Sequence, residues 1–228
     1  MGKGIGIDLG GANLRVCLAD RGVVIHEPSL AAVAKDSERI LKFGAAAEAF
    51  LKESPKEANA VRPFRGGVVN RCDTAQKVLA WCRKRCFGQA PTTTARTLIS
   101  VPCCLTEVEQ SAMIEVAIQA GFEESYLVYA PLAALYGSGM NAGGSALVVT
   151  VGATKTDILA VHRGKCVHID SVDAAGDMFD DAIVSYIQRK YHVRLSTRNA
   201  EIVKKRLGTV WCEKNTPSQR IEIGRAHV

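Results

Sequence analysis

The feature that most constrains this chain is a strand-and-turn pattern that occurs twice. In the first copy Ile5 and Ile7 mark an apolar strand, Asp8-Leu9-Gly10-Gly11 a turn, and Val16 and Leu18 alternate with Arg15 and Cys17 in a second strand. Arg21-Gly22 suits a tight turn, and Val23-Val24-Ile25 a third strand that Pro28 ends. In the second copy Ala146–Val151 is the apolar strand, Gly152-Ala153-Thr154 the turn and Asp157–His162 the second strand. Arg163-Gly164 and Val167–Val172 complete it. Period-two alternation around glycine turns is the signature of antiparallel hairpins, and its recurrence marks a weak internal repeat. Two such turns facing each other would surround one anion with backbone N–H groups, and a polyphosphate is the ligand that geometry favours. Asp8, at the end of the first strand, is then placed to hold a magnesium ion through water. Its bland alternative is a plain turn former.

Between and after the hairpins the pattern turns helical. Residues 45–53 predict a short alanine-rich helix. Asp73–Phe87 predicts an amphipathic one, with Asp73 and Gln76 as a capping box and Val78, Leu79, Cys82 and Cys86 on one face. A polar loop, Gly88–Arg96, leads to a buried strand, Thr97–Val101. Thr106 and Glu109 form a second capping box, starting a helix with Val108, Ala112, Val116 and Ala120 on one face and a stop at Gly121. Tyr126–Tyr129 reads as a strand and Pro131–Tyr136 as a small-residue helix. Asn141–Gly144 is the best linker. Asp177 is placed to cap a long helix with Phe179, Ile183, Ile187 and Tyr191 on one face, and Asn199–Leu207 is a last helix stopped by Gly208.

Composition narrows the class. With 228 residues, 47% hydrophobic and 23% charged, the chain can bury a sizeable core and is neither disordered nor collagen-like. No apolar run approaches the roughly 18 residues of a membrane span, and Met1-Gly2-Lys3 opens straight into a strand, so no signal peptide is read. The eight cysteines lack C-x-x-C spacing, and most fall in apolar stretches, where thiols act as small hydrophobes. A reducing cytoplasm is expected. Cys103-Cys104 has no histidine nearby, which favours buried thiols over a nucleophile, and the five histidines show no ligand spacing. The net charge of +6 is spread out, and no nucleic-acid partner is expected. Its one dense cluster, Arg83-Lys84-Arg85, reads as a solvated helix face, with an anionic surface as the minority alternative.

The segment Gly6-Ile7-Asp8-Leu9-Gly10-Gly11-Ala12-Asn13 resembles the first phosphate loop of the actin/Hsp70/sugar-kinase superfamily, and within it the MreB family of bacterial actins. Further segments match in order: His26-Glu27-Pro28-Ser29, Val61-Arg62-Pro63, Gly67-Val68-Val69, Val101-Pro102, Gly176-Asp177, Asp180–Ile183 and Ala200-Glu201 with Val203-Lys204. The resemblance runs from Gly4 to about Glu222. It implies an α/β, actin-like (ribonuclease H-like) two-lobed ATPase fold with an incomplete second lobe. The first lobe would span 1–140 with a small subdomain about 33–67, and the second would begin over 145–222. Gly10, Gly11, Ala12 and Asn13 would line the first phosphate loop, and Gly152, Ala153, Thr154 and Lys155 the second. Gly176 and Asp177 would close over the nucleotide at a helix start. Glu201 and Lys204 would hold the ribose and adenine end, the bland alternative being an ordinary surface pair. The implied cofactors are ATP and Mg2+.

The resemblance also brings departures. The family's second loop reads Asp-Ile-Gly-Gly-Gly-Thr-Thr, whereas here Thr150-Val151-Gly152-Ala153-Thr154-Lys155-Thr156 stands. A magnesium-holding carboxylate and two glycines are replaced. Lys155 adds a charge that could partly substitute for the metal, or is a solvated loop lysine. Ala130 stands before Pro131, where the family places the glutamate that orients water. Gly11 and Leu14 replace preferred threonines. Weak binding and slow or absent hydrolysis are the expectation. The family continues for about another hundred residues. Ile223-Gly224-Arg225-Ala226-His227-Val228 resembles a translated sequencing adapter, so a truncated gene product with six non-biological residues is expected.

By the resemblance the chain is an ATP-binding cytoskeletal filament protein of cell-shape determination and cell-wall morphogenesis. Its partners would be further copies of itself and cell-wall morphogenesis membrane proteins. Its place would be the cytoplasm and the inner membrane face, with Phe87 beside the basic cluster making weak peripheral contact. Two alternatives stand beside it: a nucleotide-independent degenerate scaffold, and another ATPase of the Hsp70/actin superfamily.

Overall fold

The structure is a computed structural model that describes residues 4–88, 96–140 and 143–209. The expectations for the loop at 89–95, for Asn141 and Ala142, for Cys212 and for residues 223–228 lie outside the described residues. Two compact units divide after Asp173. The expected lobe boundary at Asn141–Gly144 falls inside the first.

The first unit opens with the strands β1 (Ile5–Leu9), β2 (Asn13–Leu18) and β3 (Gly22–Pro28), an antiparallel meander. Ile5, Ile7, Leu9, Leu14, Val16 and Leu18 are buried on one face, as their alternation requires. A small sheet follows, β4 (Ala31–Ala34) and β5 (Ile40–Phe43), with helix α1 (Ala45–Glu53) and β6 (Ala58–Val61). Its order is β5-β4-β6, and Ala32, Ala47 and Ala58 form its core. A two-residue-per-strand hairpin, β7 (Phe64–Arg65) and β8 (Val68–Val69), leads to helix α2 (Cys72–Phe87).

Strand β9 (Arg96–Val101) returns to the main sheet parallel to β1; helix α3 (Glu107–Gln119) crosses over, and β10 (Glu124–Tyr129) lies parallel to β9. The sheet order is β10-β9-β1-β2-β3. Its apolar face packs on α2 and α3 through Val78, Leu79, Cys82, Met113, Val116, Ala117 and Phe122. Each fully buried aliphatic there contributes about 1.5–3 kcal/mol relative to exposure.

Helix α4 (Ala130–Gly137) then packs against a second meander, β11 (Ser145–Val151), β12 (Thr156–His162) and β13 (Lys165–Val172). Leu135, Leu159 and Val161 form the centre of that contact. Arg163 and Gly164 both have positive φ, as a two-residue hairpin turn of the favoured twist demands. The second unit contains helices α5 (Gly176–Tyr191) and α6 (Thr197–Leu207), packed on each other.

Several local expectations are corrected. Helix α2 begins one residue earlier than expected, with Arg71 as N-cap and no side-chain cap. Asp73 thus lies inside the first turn, and Gln76 reaches the Gln119 carbonyl instead of closing a box. In α3 the Thr106–Glu109 box is present, but Val108 is 78% exposed and Met113 takes its place on the buried face. Strand β9 is buried on one face only, since Leu98 points outward. Asp177 is not the cap of α5: Ala175 is, and Phe179 and Tyr191 are exposed while Asp180 is buried. Among the described residues the cysteines are free thiols: Cys82 and Cys103 are buried, Cys86 is half-buried, and Cys17, Cys72, Cys104 and Cys166 are exposed. Arg85 is not merely solvated. It pairs with Glu27 at 3.3 Å and lies over the Trp81 ring. No helix among the described residues is long and apolar enough to cross a membrane.

Candidate functional site

The two repeated turns are built alike. Leu9 pairs with Leu14 and Val151 with Thr156, so each hairpin closes over four residues. A Cβ on Gly10 would lie 2.6 Å from the Asn13 carbonyl oxygen, and one on Gly152 would lie 2.9 Å from that of Lys155. Real Cβ atoms do not approach so closely, and the turn N–H of Gly152 uses that space to donate to the Lys155 carbonyl at 2.9 Å. Both turns therefore need glycine at their first position.

The turns also meet. A Cβ on Gly11 would sit 3.3 Å from both Cγ2 and Oγ1 of Thr154. Around this contact lies a cleft of about 550 Å³, lined by both turns. Asp8, Gly10, Gly11, Ala12 and Asn13 come from the first, and Gly152, Ala153, Thr154 and Lys155 from the second. All these residues belong to the first unit. Arg62 fixes the first turn by donating to the Gly11 carbonyl at 3.1 Å, and Ser29 N–H donates to that of Ala12 at 2.8 Å. The other expected residues, Gly176, Asp177, Glu201 and Lys204, gather in the second unit. There Lys204 Nζ donates to the Gly176 carbonyl at 2.7 Å and to Asp180 Oδ2 at 2.8 Å, while Glu201 pairs with Lys205 at 2.6 Å.

Charge in the cleft is arranged in pairs. Asp8 stands in register with Arg15 on one side and Ser100 on the other. Its Oδ2 accepts from Arg15 Nη1 at 3.1 Å and its Oδ1 from Ser100 Oγ at 2.9 Å. Lys155 pairs with Asp173 at 2.8 Å; Asp173 is 86% exposed, so the pair is screened and readily exchanged. Asp157, at the start of β12, is only 5% exposed and accepts from the Cys103 N–H at 3.0 Å, tying the loop after β9 to the second hairpin. Burial above all, then the neighbouring Asp157 carboxylate, raises the Cys103 thiol to about 12, so it stays protonated and inert. Ala130, Ala133 and Ala134 form an apolar wall.

Sequence reasoning missed Arg15, Ser100 and Asp157 as cleft residues. Arg15 carried a readable signal, because a four-residue turn places it opposite Asp8. Asp157 carried none, since its partner lies 54 residues away.

The magnesium ion implied by resemblance fits these residues poorly. Asp8 already accepts from Arg15 and Ser100, Asp157 is buried and engaged, and the residue of the second hairpin that corresponds to Asp8 is the neutral Thr150. A polyphosphate fits better, since glycine turns leave backbone room and two cations face the cleft.

A family described as MreB/Mbl protein matches residues 2–228. The cell shape-determining protein Mbl of Bacillus cereus is 32% identical over 223 residues, covering 97% of this chain and 66% of that protein. MreB5 of Spiroplasma citri, in crystal structures bound to ADP or AMPPNP, superposes with a TM-score of 0.86 at 29% identity. That match covers 94% of this chain and 65% of MreB5. The MamK double helical filament, at 18% identity and a TM-score of 0.79, covers 94% of this chain and 68% of its own, and shares the fold. The chain thus spans just under two thirds of the length of the Mbl and MreB5 proteins it matches.

Proposed function

The chain belongs to the MreB/Mbl family, and we propose that it acts as an actin-like cytoskeletal protein of cell-shape determination, assembling with copies of itself and binding ATP in the cleft of its first unit. The fold is actin-like. The observation that carries the binding reading is the convergence of the Gly11 and Thr154 turns on one cleft. Backbone N–H groups of residues 10–13 and 152–155 are the natural donors to the phosphates, and Arg15 and Lys155 the natural counter-charges. Residues 1–140 are read as the first lobe, with its subdomain about 33–67, and 145–222 as the start of the second. By family resemblance alone, Glu201 and Lys204 are assigned the ribose and adenine end, and Gly176 and Asp177 the closure over the nucleotide at a helix start. Cell-wall morphogenesis membrane proteins are the proposed partners, and the cytoplasmic face of the inner membrane the proposed place.

Hydrolysis is proposed to be slow. Ala130 cannot orient or polarise water, and it lines the cleft where a carboxylate would be needed. Sedimentation with and without ATP, paired with single-turnover hydrolysis, tests the reading. Nucleotide-dependent pelleting with little turnover is expected. Pelleting blind to nucleotide would support the scaffold reading, which the neutral Ala130 and Thr150 favour. Soluble protein with rapid turnover would overturn both.

A further inference from the structure

We infer that Arg15 occupies the role of a divalent ion in this cleft, so that the chain binds nucleotide as the free, metal-less polyphosphate. The inference rests on the proposed nucleotide reading and adds to it the charge state of the ligand.

Strand alternation fixes Arg15 in place. Its neighbours Leu14 and Val16 are fully buried, so the register of β2 cannot slip, and Arg15 projects from the opposite face beside Asp8. Arg15 lines the cleft together with both glycine turns. It donates to Asp8 through Nη1. A guanidinium has five N–H donors in a planar fork, so donors remain for a phosphate, which it suits bidentately.

The anionic side of the cleft is meanwhile taken. Asp8 is held by Arg15 and Ser100, Asp157 by the Cys103 N–H, and Asp173 holds Lys155. The repeat sharpens the comparison. The position equivalent to Asp8 in the second hairpin is Thr150, paired in register with Asp157 as Asp8 is with Arg15. One hairpin therefore offers a cation–carboxylate pair, and the other a neutral hydroxyl beside a buried carboxylate. A hydrated dication entering here would sit against a fixed guanidinium and gain no carboxylate that lacks a partner. A polyphosphate entering without it meets Arg15 and Lys155, each of which keeps N–H donors beyond the one its carboxylate partner accepts.

Equilibrium binding of ATP to the full chain, measured calorimetrically in excess Mg2+ and in EDTA, tests this. The native chain is expected to bind in EDTA at least as well as in Mg2+, within about threefold. Arg15→Gln, at a side chain 46% exposed, should fold normally by circular dichroism. It should lose roughly tenfold in EDTA affinity, since a charged hydrogen bond is removed. It should also become Mg2+-dependent, because Asp8 is released. Arg15→Lys should keep part of the EDTA affinity. Native binding that requires Mg2+, or an Arg15→Gln chain indistinguishable from native, overturns the inference while leaving nucleotide binding standing. Absence of ATP binding in both buffers overturns the nucleotide reading and this inference with it.

Discussion

Gly11 and Thr154 stand face to face across the cleft, from two hairpins more than a hundred residues apart in sequence, so close that an added carbon at Gly11 would crowd the threonine side chain. A Cβ at Gly11 would lie 3.3 Å from two atoms of Thr154. Gly11 has no unusual φ, so its lack of a side chain reflects this approach and not backbone strain. The family's threonine preference at position 11 and its glycine preference in the second loop are both reversed here.

That exchange makes the contact testable. Gly11→Val should force the turns apart at a cost typical of overpacking, about 1–3 kcal/mol, felt as a loss of roughly tenfold in ATP affinity. Thr154→Ala in the same chain should restore much of it, because the clash is with the threonine side chain. Calorimetric titration of the single and double variants checks the coupling. Additive losses would mean that the two turns do not act through each other.

The Thr106–Glu109 capping box should give α3 a pH dependence of definite sign. The Thr106 N–H, and then its hydroxyl, hold the Glu109 carboxyl below its ordinary value. A carboxylate with a lowered folded-state pKa contributes stability that is fully present above its unfolded value. That contribution is lost as pH falls through the folded one. Thr106→Ala should cost about 1 kcal/mol near neutrality. Glu109→Gln should flatten the acid limb of stability. Urea unfolding followed from neutral to acid pH measures both, and an acid limb unchanged in Glu109→Gln would rule the box out as its source.

How much of this was legible in the sequence follows from the range of the interactions. The hairpins were readable because alternation and turn chemistry are local: Ile5, Ile7 and Leu9 on one face, and Arg163-Gly164 at a tight turn. The Thr106–Glu109 box was readable, but the same spelling at Asp73 and Gln76 was not a box. Arg71 takes the cap there, and Gln76 has a better partner in the Gln119 carbonyl, 43 residues away. Asp177 fails as a cap for a similar reason, since the helix starts at Gly176 behind Ala175. The apolar face expected for α5 is kept only in part: Ile183 and Ile187 are half-buried, but Phe179 and Tyr191 are exposed and the fully buried residue is Asp180, paired with the distant Lys204. In the cleft, the glycine turns were legible from composition and order. The Asp157–Cys103 tie and the Ser100–Asp8 contact depend on sheet order, which no local pattern encodes.

Lys204 carries the last prediction, because the structure gives it a role different from the one family resemblance assigns. Asp180 is 3% exposed, its Oδ2 is held by Lys204 at 2.8 Å, and its Oδ1 has no partner among the described residues. Lys204 also donates to the Gly176 carbonyl, joining α6 to the first turn of α5. Lys204→Met should leave a buried carboxylate unpaired and cost about 3–5 kcal/mol in the second unit. Hydrogen exchange across α5 and α6 should then speed up while that of the main sheet stays unchanged. Adding Asp180→Leu should recover most of the loss, since an apolar pair of similar volume replaces the ionic one. If Lys204→Met leaves exchange in α5 and α6 untouched but weakens ATP binding, the lysine serves the nucleotide and the ion pair with Asp180 is incidental.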